Sequence, residues 1–261
     1  MSMEQAVNDT TSRSTHKVFN LKPWTASVDA TVAELSSSGG LRLDQTIAYP
    51  ESGGQQGDCG VITTSGGASV AFSDTRRGPG RLLSLPGFEG VHVEVPIYHT
   101  IPAECASLFQ VGDRVRVAID TRRRARLTLS HTASHLLLLG VASVRPEAID
   151  NVIGCSIKED QARLDFSAAE HFSAAEIYSI QHAANDLVTR NLPIFIERHQ
   201  DEPDALYWRC DGHAIPCGGT HLDQTGPVGR IAVHRKSIGK GKDRLVCTFP
   251  EALAPYDAYT E

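Results

Sequence analysis

Hydrophobic and polar positions alternate in short runs over the first part of the chain and change to a helical rhythm after residue 120. Segments 26–32, 61–63, 68–72, 92–95 and 114–119 carry the period of two that marks half-buried strands. Gly66-Gly67, between two of these segments, is a hairpin signal. Several short strands at this spacing predict a small β-barrel or sandwich, and we take the barrel as the expectation for residues 17–120.

After Asp120 the texture differs. The stretch from Thr121 to Val144 holds no Pro and no Gly before Gly140, and Asp120 or Thr121 is placed to cap it, so a helix is expected. Ser173-Ala-Ala-Glu176 has the form of a capping box and opens a second helix that runs to about Asn191, ahead of Pro193. Strand-like pieces at 152–157, 163–166, 194–198, 230–234 and 244–249 complete an α+β unit over residues 121–261. Residues 1–16 are rich in Ser and Thr and lack both an apolar core and an Arg-rich targeting pattern, so they read as a disordered tail. The fold class expected is α+β: a small N-terminal barrel followed by an α+β unit.

Composition narrows the possible functions. Apolar residues make up 41% of the 261, enough for a sizeable core. The longest apolar stretch, around Leu136 to Val144, is too short to span a bilayer, so no membrane role is expected. Six cysteines without a CxxC pair read as free thiols of a cytoplasmic protein, at most one of them a ligand. A formal charge of −6 argues against non-specific coating of nucleic acid. It leaves room for local basic faces at Arg76-Arg77, Arg122 to Arg126, and Arg235 to Arg244 with Lys236, Lys240 and Lys242. No glycine-rich loop ends in Gly-Lys-[Ser/Thr], so ATP is not an expected ligand.

The chemistry concentrates in two short motifs. His131-Thr-Ala-Ser-His135 sets two imidazoles one helical turn apart, and Cys217-Gly-Gly-Thr-His221 adds a thiolate and a third imidazole on a glycine-loosened turn. Sulfur plus nitrogen favours Zn2+ over magnesium or calcium. Thr132 follows His131, so the glutamate of an HExxH protease is missing. If all four side chains bind, the site is closed and structural; if one is labile, a position is open to water or substrate. Both remain open at this point, with His213 as a spare ligand.

These motifs together resemble the editing domain of alanyl-tRNA synthetases and their free-standing AlaX relatives. Tyr49-Pro-Glu-Ser-Gly-Gly-Gln-Gln-Gly-Asp58 is similar to the family's YPEGGGQ…D segment, Arg163-Leu-Asp-Phe166 to its RxDF strand, and Gly226 to Lys242 to its TGxIG…GKG ending. Three departures stand out: Ser52 in place of a glycine, Thr121 and Thr128 in place of Trp and Met, and Cys155-Ser156 where relatives carry Gly-Gln.

The resemblance implies a zinc-dependent deacylase acting on tRNA(Ala) that wrongly carries serine or glycine. Serine differs from alanine by a hydroxyl, and a site that binds this hydroxyl can reject alanine. Thr132 and Thr220 are the candidate hydroxyl partners, and the Gly218 and Gly219 N–H groups are candidates to face the carbonyl oxygen. Gln55 is the candidate contact to the substrate end. Arg122, Arg123, Arg124, Lys240, Lys242 and Arg244 are the candidates for tRNA. Zinc would either activate a water or anchor the substrate, anchoring being the better match to four ligands. Two rival classes are a tRNA-docking protein with a structural zinc, and an enzyme acting on another tRNA or a small aminoacyl ester.

Overall fold

The alternating N-terminal segments form seven antiparallel strands: β1 (Ser27–Leu35), β2 (Gly40–Leu43), β3 (Gly60–Thr64), β4 (Ser69–Phe72), β5 (Asp74–Arg77), β6 (Ile97–Thr100) and β7 (Arg114–Ile119). They are ordered β4-β3-β7-β1-β2-β6-β5 in one sheet. The computed structural model describes residues 14–36 and 39–261. Of the tail expected at 1–16, residues 1–13 lie outside the described residues; Thr15 is buried, and His16–Lys17 pairs with Gln45–Thr46.

The expected barrel is corrected to an open sheet. Only Ser73 separates β4 from β5, which form the two opposite edges, so the sheet must curl until its edges meet at that corner. Ser73 N–H nevertheless donates to Thr100 O of β6, and among the described residues no ladder joins β4 to β5. The core inside the curl is built from Leu41, Leu43, Ile62, Phe72, Ile97 and Val117. Segment 92–95 does not join this sheet. Its strand covers only His92–Val93, paired with Arg81–Leu82, because Glu94 takes a positive φ of 56° ahead of Pro96.

Helix α1 (Thr121–Val144) starts where Asp120 accepts hydrogen bonds from the Arg122 and Arg123 N–H groups at 3.0 and 3.1 Å. By length and composition α1 could cross a membrane, but 78% of its apolar window is buried within the protein, so it is the central core helix. Helix α2 (Ala174–Thr189) opens on the capping box, with the Ser173 and Glu176 contacts both formed. The two helices cross at Gly140, where a Cβ would sit 2.7 Å from Ile180 O.

Behind the helices lies a four-stranded antiparallel sheet of β8 (Val152–Ile157), β9 (Gln161–Ser167), β13 (Ala232–Ser237) and β14 (Lys242–Thr248), ordered β8-β9-β14-β13. Ala162, Leu164, Phe166, Leu245 and Cys247 turn one face of this sheet into the core shared with α1 and α2. A further antiparallel sheet, β10 (Phe195–Arg198), β11 (Leu206–Cys210) and β12 (His213–Pro216), was not expected from the sequence except near 194–198. The buried and exposed alternation of Leu206-Tyr-Trp-Arg-Cys210 is the signal that would have revealed β11. The C-terminal segment straps back onto the N-terminal part, with Ala26 N–H donating to Thr260 O at 2.7 Å and the Tyr259 ring edge-on to Trp24.

Candidate metal centre and its cleft

Two structural pieces converge on one point. Helix α1 supplies His131 and His135 from adjacent turns, and the turn that leaves β12 supplies Cys217 and His221. One ligand atom from each of the four lies within 4.8 Å of the others. Cys217 Sγ is 3.4 Å from His131 Nε2 and 3.3 Å from His221 Nε2. A tetrahedron with metal–sulfur and metal–nitrogen bonds of ~2.3 and ~2.1 Å has sulfur–nitrogen edges of about 3.6 Å, so the spacing fits a zinc ion. His213, by contrast, is exposed on β12 and lies outside the cluster, which removes it as a spare ligand.

The chemistry of the donor set fits as well. Burial alone pushes the His135 imidazole down to about 3, and burial with the neighbouring imidazoles holds His131 and His221 well below the ordinary range. All three are therefore neutral lone-pair donors. Burial pushes the Cys217 thiol up to about 12, against the N–H of Gly219, so without a cation nothing nearby compensates a thiolate. Nδ1 of His135 and of His221 is buried without a hydrogen-bond partner among the described residues. Trp208, fully buried on β11, packs its ring 4.7 Å from that of His135 and walls the site from behind.

Gln55 holds the centre from the N-terminal side. Its Oε1 accepts from His131 Nδ1 at 2.7 Å and from Thr220 N–H at 3.2 Å, while its Nε2 donates to Thr220 Oγ1 at 3.1 Å. Since Nδ1 carries the proton, the His131 lone pair lies on Nε2, the nitrogen that faces Cys217. Gln55, expected as a contact to the substrate end, is 0% exposed, and its amide is taken up by His131 and Thr220. It arrives there on a tight turn: Ser52 and Gln55 exchange both backbone hydrogen bonds, and Gly53 and Gly54 between them have φ of 55° and 81°. Serine in place of a glycine at 52 costs this turn nothing, because 52 lies outside the two positive-φ positions.

The candidate hydroxyl readers are placed differently from expectation. Thr132 Oγ1 donates to Thr128 O at 3.0 Å and accepts from Leu222 N–H at 3.0 Å, a local tie between α1 and the ligand turn. Thr220 Oγ1 accepts from Thr128 Oγ1 at 2.8 Å and sits behind His131 with Gln55. Both threonines are buried. Thr128, singled out only as a departure, thus belongs to the layer that supports the ligands. The Gly219 N–H points at Cys217 Sγ, 3.5 Å away, and a Cβ at 219 would overlap the His131 ring. Gly218 is exposed, with open space around it, and its N–H makes no hydrogen bond among the described residues.

A cleft of about 320 Å³ opens onto this centre, with His131, Cys217, Gly218 and Gly219 on its floor. Tyr49 and Arg77 stand on its walls. Phe88, which packs in a small apolar cluster with Leu83, Val93 and Ala205, also lines the cleft. Lys17 on the rim pairs with Asp204 at 2.6 Å, whereas exposed Arg77 forms no ion pair among the described residues.

The expected tRNA cations are scattered. Arg124 is fully buried in an ion pair with Asp58 and also donates to Ile47 O at 2.7 Å, so it is withdrawn from any nucleic-acid face. Its position on the stripe 124, 128, 131, 135, which faces inward along α1, was the available signal. Arg123 is held by Glu159 and by Gly57 O, and Arg122 lies over the Tyr256 ring at 5.3 Å. Lys240 and Lys242 are exposed near the turn into β14, and Arg244 donates to Asp165 at 2.7 and 2.8 Å.

An α+β protein with a buried three-histidine, one-cysteine centre at the foot of an open cleft is the class that fold and site define. No family profile matches the chain. It is similar to the alanine–tRNA ligase of Sinorhizobium medicae, 29% identical over 266 residues, which cover 87% of this chain and 27% of the relative. Against the alanine–tRNA ligase of Methanospirillum hungatei the identity is 30% over 251 residues, 88% of this chain and 25% of the relative. Against that of Methanopyrus kandleri it is 28% over 232 residues, 81% and 23%. The chain therefore spans about a quarter of the length of these ligases, and the resemblance read from its motifs holds along most of it.

Proposed function

We propose that this chain is a trans-editing hydrolase that deacylates tRNA(Ala) wrongly charged with serine, and secondarily with glycine, in the cytoplasm. The observation that carries the reading is the cleft, which opens onto His131 and Cys217 of the four-residue centre, in a chain similar to a quarter of alanine–tRNA ligase. His131, His135, Cys217 and His221 would hold the ion. Zinc bound there supplies Lewis-acid chemistry at the cleft floor.

The chain's own residues supply the rest. The free Gly218 N–H is the donor best placed for charge developing on an ester carbonyl oxygen. Gln55, Thr220, Thr128 and Thr132 act as positioning residues that keep the ligand turn against α1. Arg77 is the cleft cation free to meet a phosphate near the ester.

Release of amino acid from Ser-tRNA(Ala), Gly-tRNA(Ala) and Ala-tRNA(Ala), compared under equal conditions, tests the proposal. Fast release of serine with alanine spared is the expected result; equal rates, or none, would overturn it. Four ligands in mutual reach also suit a closed structural site, so the second reading is a tRNA-docking protein. That protein would bind all three acylated tRNAs and release nothing.

A further inference from the structure

The face of the four-stranded sheet turned away from the helices carries a second concavity. It is about 290 Å³ in volume, and Ser156, Lys158, Arg163, Lys236 and Arg244 line it. Strand alternation puts these residues opposite Ala162, Leu164 and Leu245, which point into the core. Each strand contributes one cation: Lys158 at the end of β8, Arg163 on β9, Arg244 on β14 and Lys236 on β13. Arg244 lies directly opposite Lys236, so the four run diagonally across three strand intervals. At ~4.8 Å per interval the row is about 14 Å wide across the strands.

Counter-charge in the groove is sparse. Asp165 accepts from Arg244 and from Arg163. Glu159, next to Lys158, turns away to Arg123, and Asp160 lines a different cavity beside Tyr256. Lys158 and Lys236 form no ion pair among the described residues. Four cations against one carboxylate leave a local excess of three in a chain whose net charge is −6.

The groove adjoins the metal cleft through β8. Ile157 N–H donates to Gly54 O at 2.7 Å and Cys155 Sγ to Gly53 O at 3.2 Å, while Ser156 and Lys158 line the groove. Gly53 in turn lines the cleft, so one strand separates the two concavities.

We propose that this basic sheet face is where an RNA phosphate backbone docks while the strand's acylated end occupies the neighbouring cleft, an assignment that rests on the function proposed above for that cleft. A row of separated cations fits a regularly spaced polyanion, and the adjacency fits a strand whose end must reach the metal centre. The placement differs from the one read off the sequence. Lys158 and Arg163 are added, Lys236 and Arg244 are kept from the Arg235 to Arg244 cluster, and Arg122 to Arg124, Lys240 and Lys242 do not line the groove.

The test is the salt dependence of binding to uncharged tRNA for the full chain and for Lys158→Gln/Lys236→Gln. Neither lysine supports a core contact, so the fold is retained. The double variant should bind roughly tenfold more weakly at low salt, with the slope of log K against log[salt] reduced by about two. Arg122→Gln/Arg126→Gln removes the same charge outside the groove and should leave the slope unchanged. An unaltered slope in the lysine variant, or an equal loss in the arginine control, overturns the assignment. Hydrolysis of a small aminoacyl ester, which does not reach the groove, should be the same in all three proteins. If the parent hydrolyses no acylated tRNA but the slope still falls with the lysines, the reading of the cleft fails and the RNA face stands.

Discussion

Gln55 shows how much a single side chain decides at this centre. One amide oxygen fixes the proton of His131 on Nδ1, and the same amide ties Thr220, the residue before His221, to the N-terminal sheet. Gln55→Leu should therefore weaken zinc binding by about 10- to 100-fold in competition with a chromophoric chelator. Gln55→Glu keeps an acceptor for His131 and should stay close to the parent; equal affinity in parent and Leu variant would mean that the amide does not orient the ligand. Cys217 gives a second expectation at this scale. With its thiol pushed up to about 12 by burial and the imidazoles neutral, an ion entering at pH 7.5 displaces about one proton, that of the thiol. Calorimetric titration of zinc in two buffers of different ionisation enthalpy counts it. A count near zero would show a thiolate already formed, and a count of two or more would show a protonated imidazole.

At the scale of elements, the segment from Ile47 to Asp58 is clamped to the first turn of α1 by the Arg124–Asp58 pair. Asp58 also accepts from Tyr49 N–H at 2.7 Å, so one carboxylate fixes both ends of the segment that delivers Gln55. Removing one partner leaves a buried charge uncompensated, so Asp58→Ala should lower stability by about 3 to 5 kcal/mol in urea unfolding. Arg124→Met/Asp58→Leu, which removes both charges, should recover much of that loss; a double variant no better than Asp58→Ala would show that shape rather than charge holds the clamp. This clamp was poorly legible in the sequence, although both helices were plain from local signals. Asp120, and Ser173 with Glu176, cap them as their sequences announce. The metal ligands were legible because their type and spacing are local properties of two short motifs. What joined those motifs to Gln55, Thr128 and Trp208 was not, since these contacts bridge residues far apart in the chain and depend on how the sheets curl and stack. The open edge between β4 and β5 belongs to the same class: alternation fixes which residues face inward, but not whether the last strand finds the first.

For the molecule as a whole, the buried histidines predict how stability responds to acid. His99 lies inside the N-terminal sheet, with Nδ1 bonded to Leu41 O at 3.0 Å and Nε2 to Thr46 Oγ1 at 2.8 Å. Burial lowers it to about 4, while the Leu41 carbonyl acts in the opposite sense. His131, His135 and His221 are depressed as well, in the metal-free protein. In the unfolded chain each titrates near ~6.5, so between that pH and the folded value the unfolded state binds more protons. The stabilisation from these neutral imidazoles is thus complete above ~6.5 and is lost as the pH falls through the folded values, with a slope of ~1.4 kcal/mol per pH unit for each group inside its window. Metal-free protein should lose stability in urea unfolding steadily from pH 6.5 towards 4. Zinc occupies the ring nitrogens that protons would take, so the loaded protein should show a shallower fall over the same range, reduced towards the share of His99 until the ion itself is displaced. His99→Gln in the loaded protein should then flatten the remaining slope by about one proton. A metal-free stability curve that stays level down to pH 5 would show that these imidazoles are not held neutral by burial, and with that the account of the four ligands as an uncharged donor set would fall.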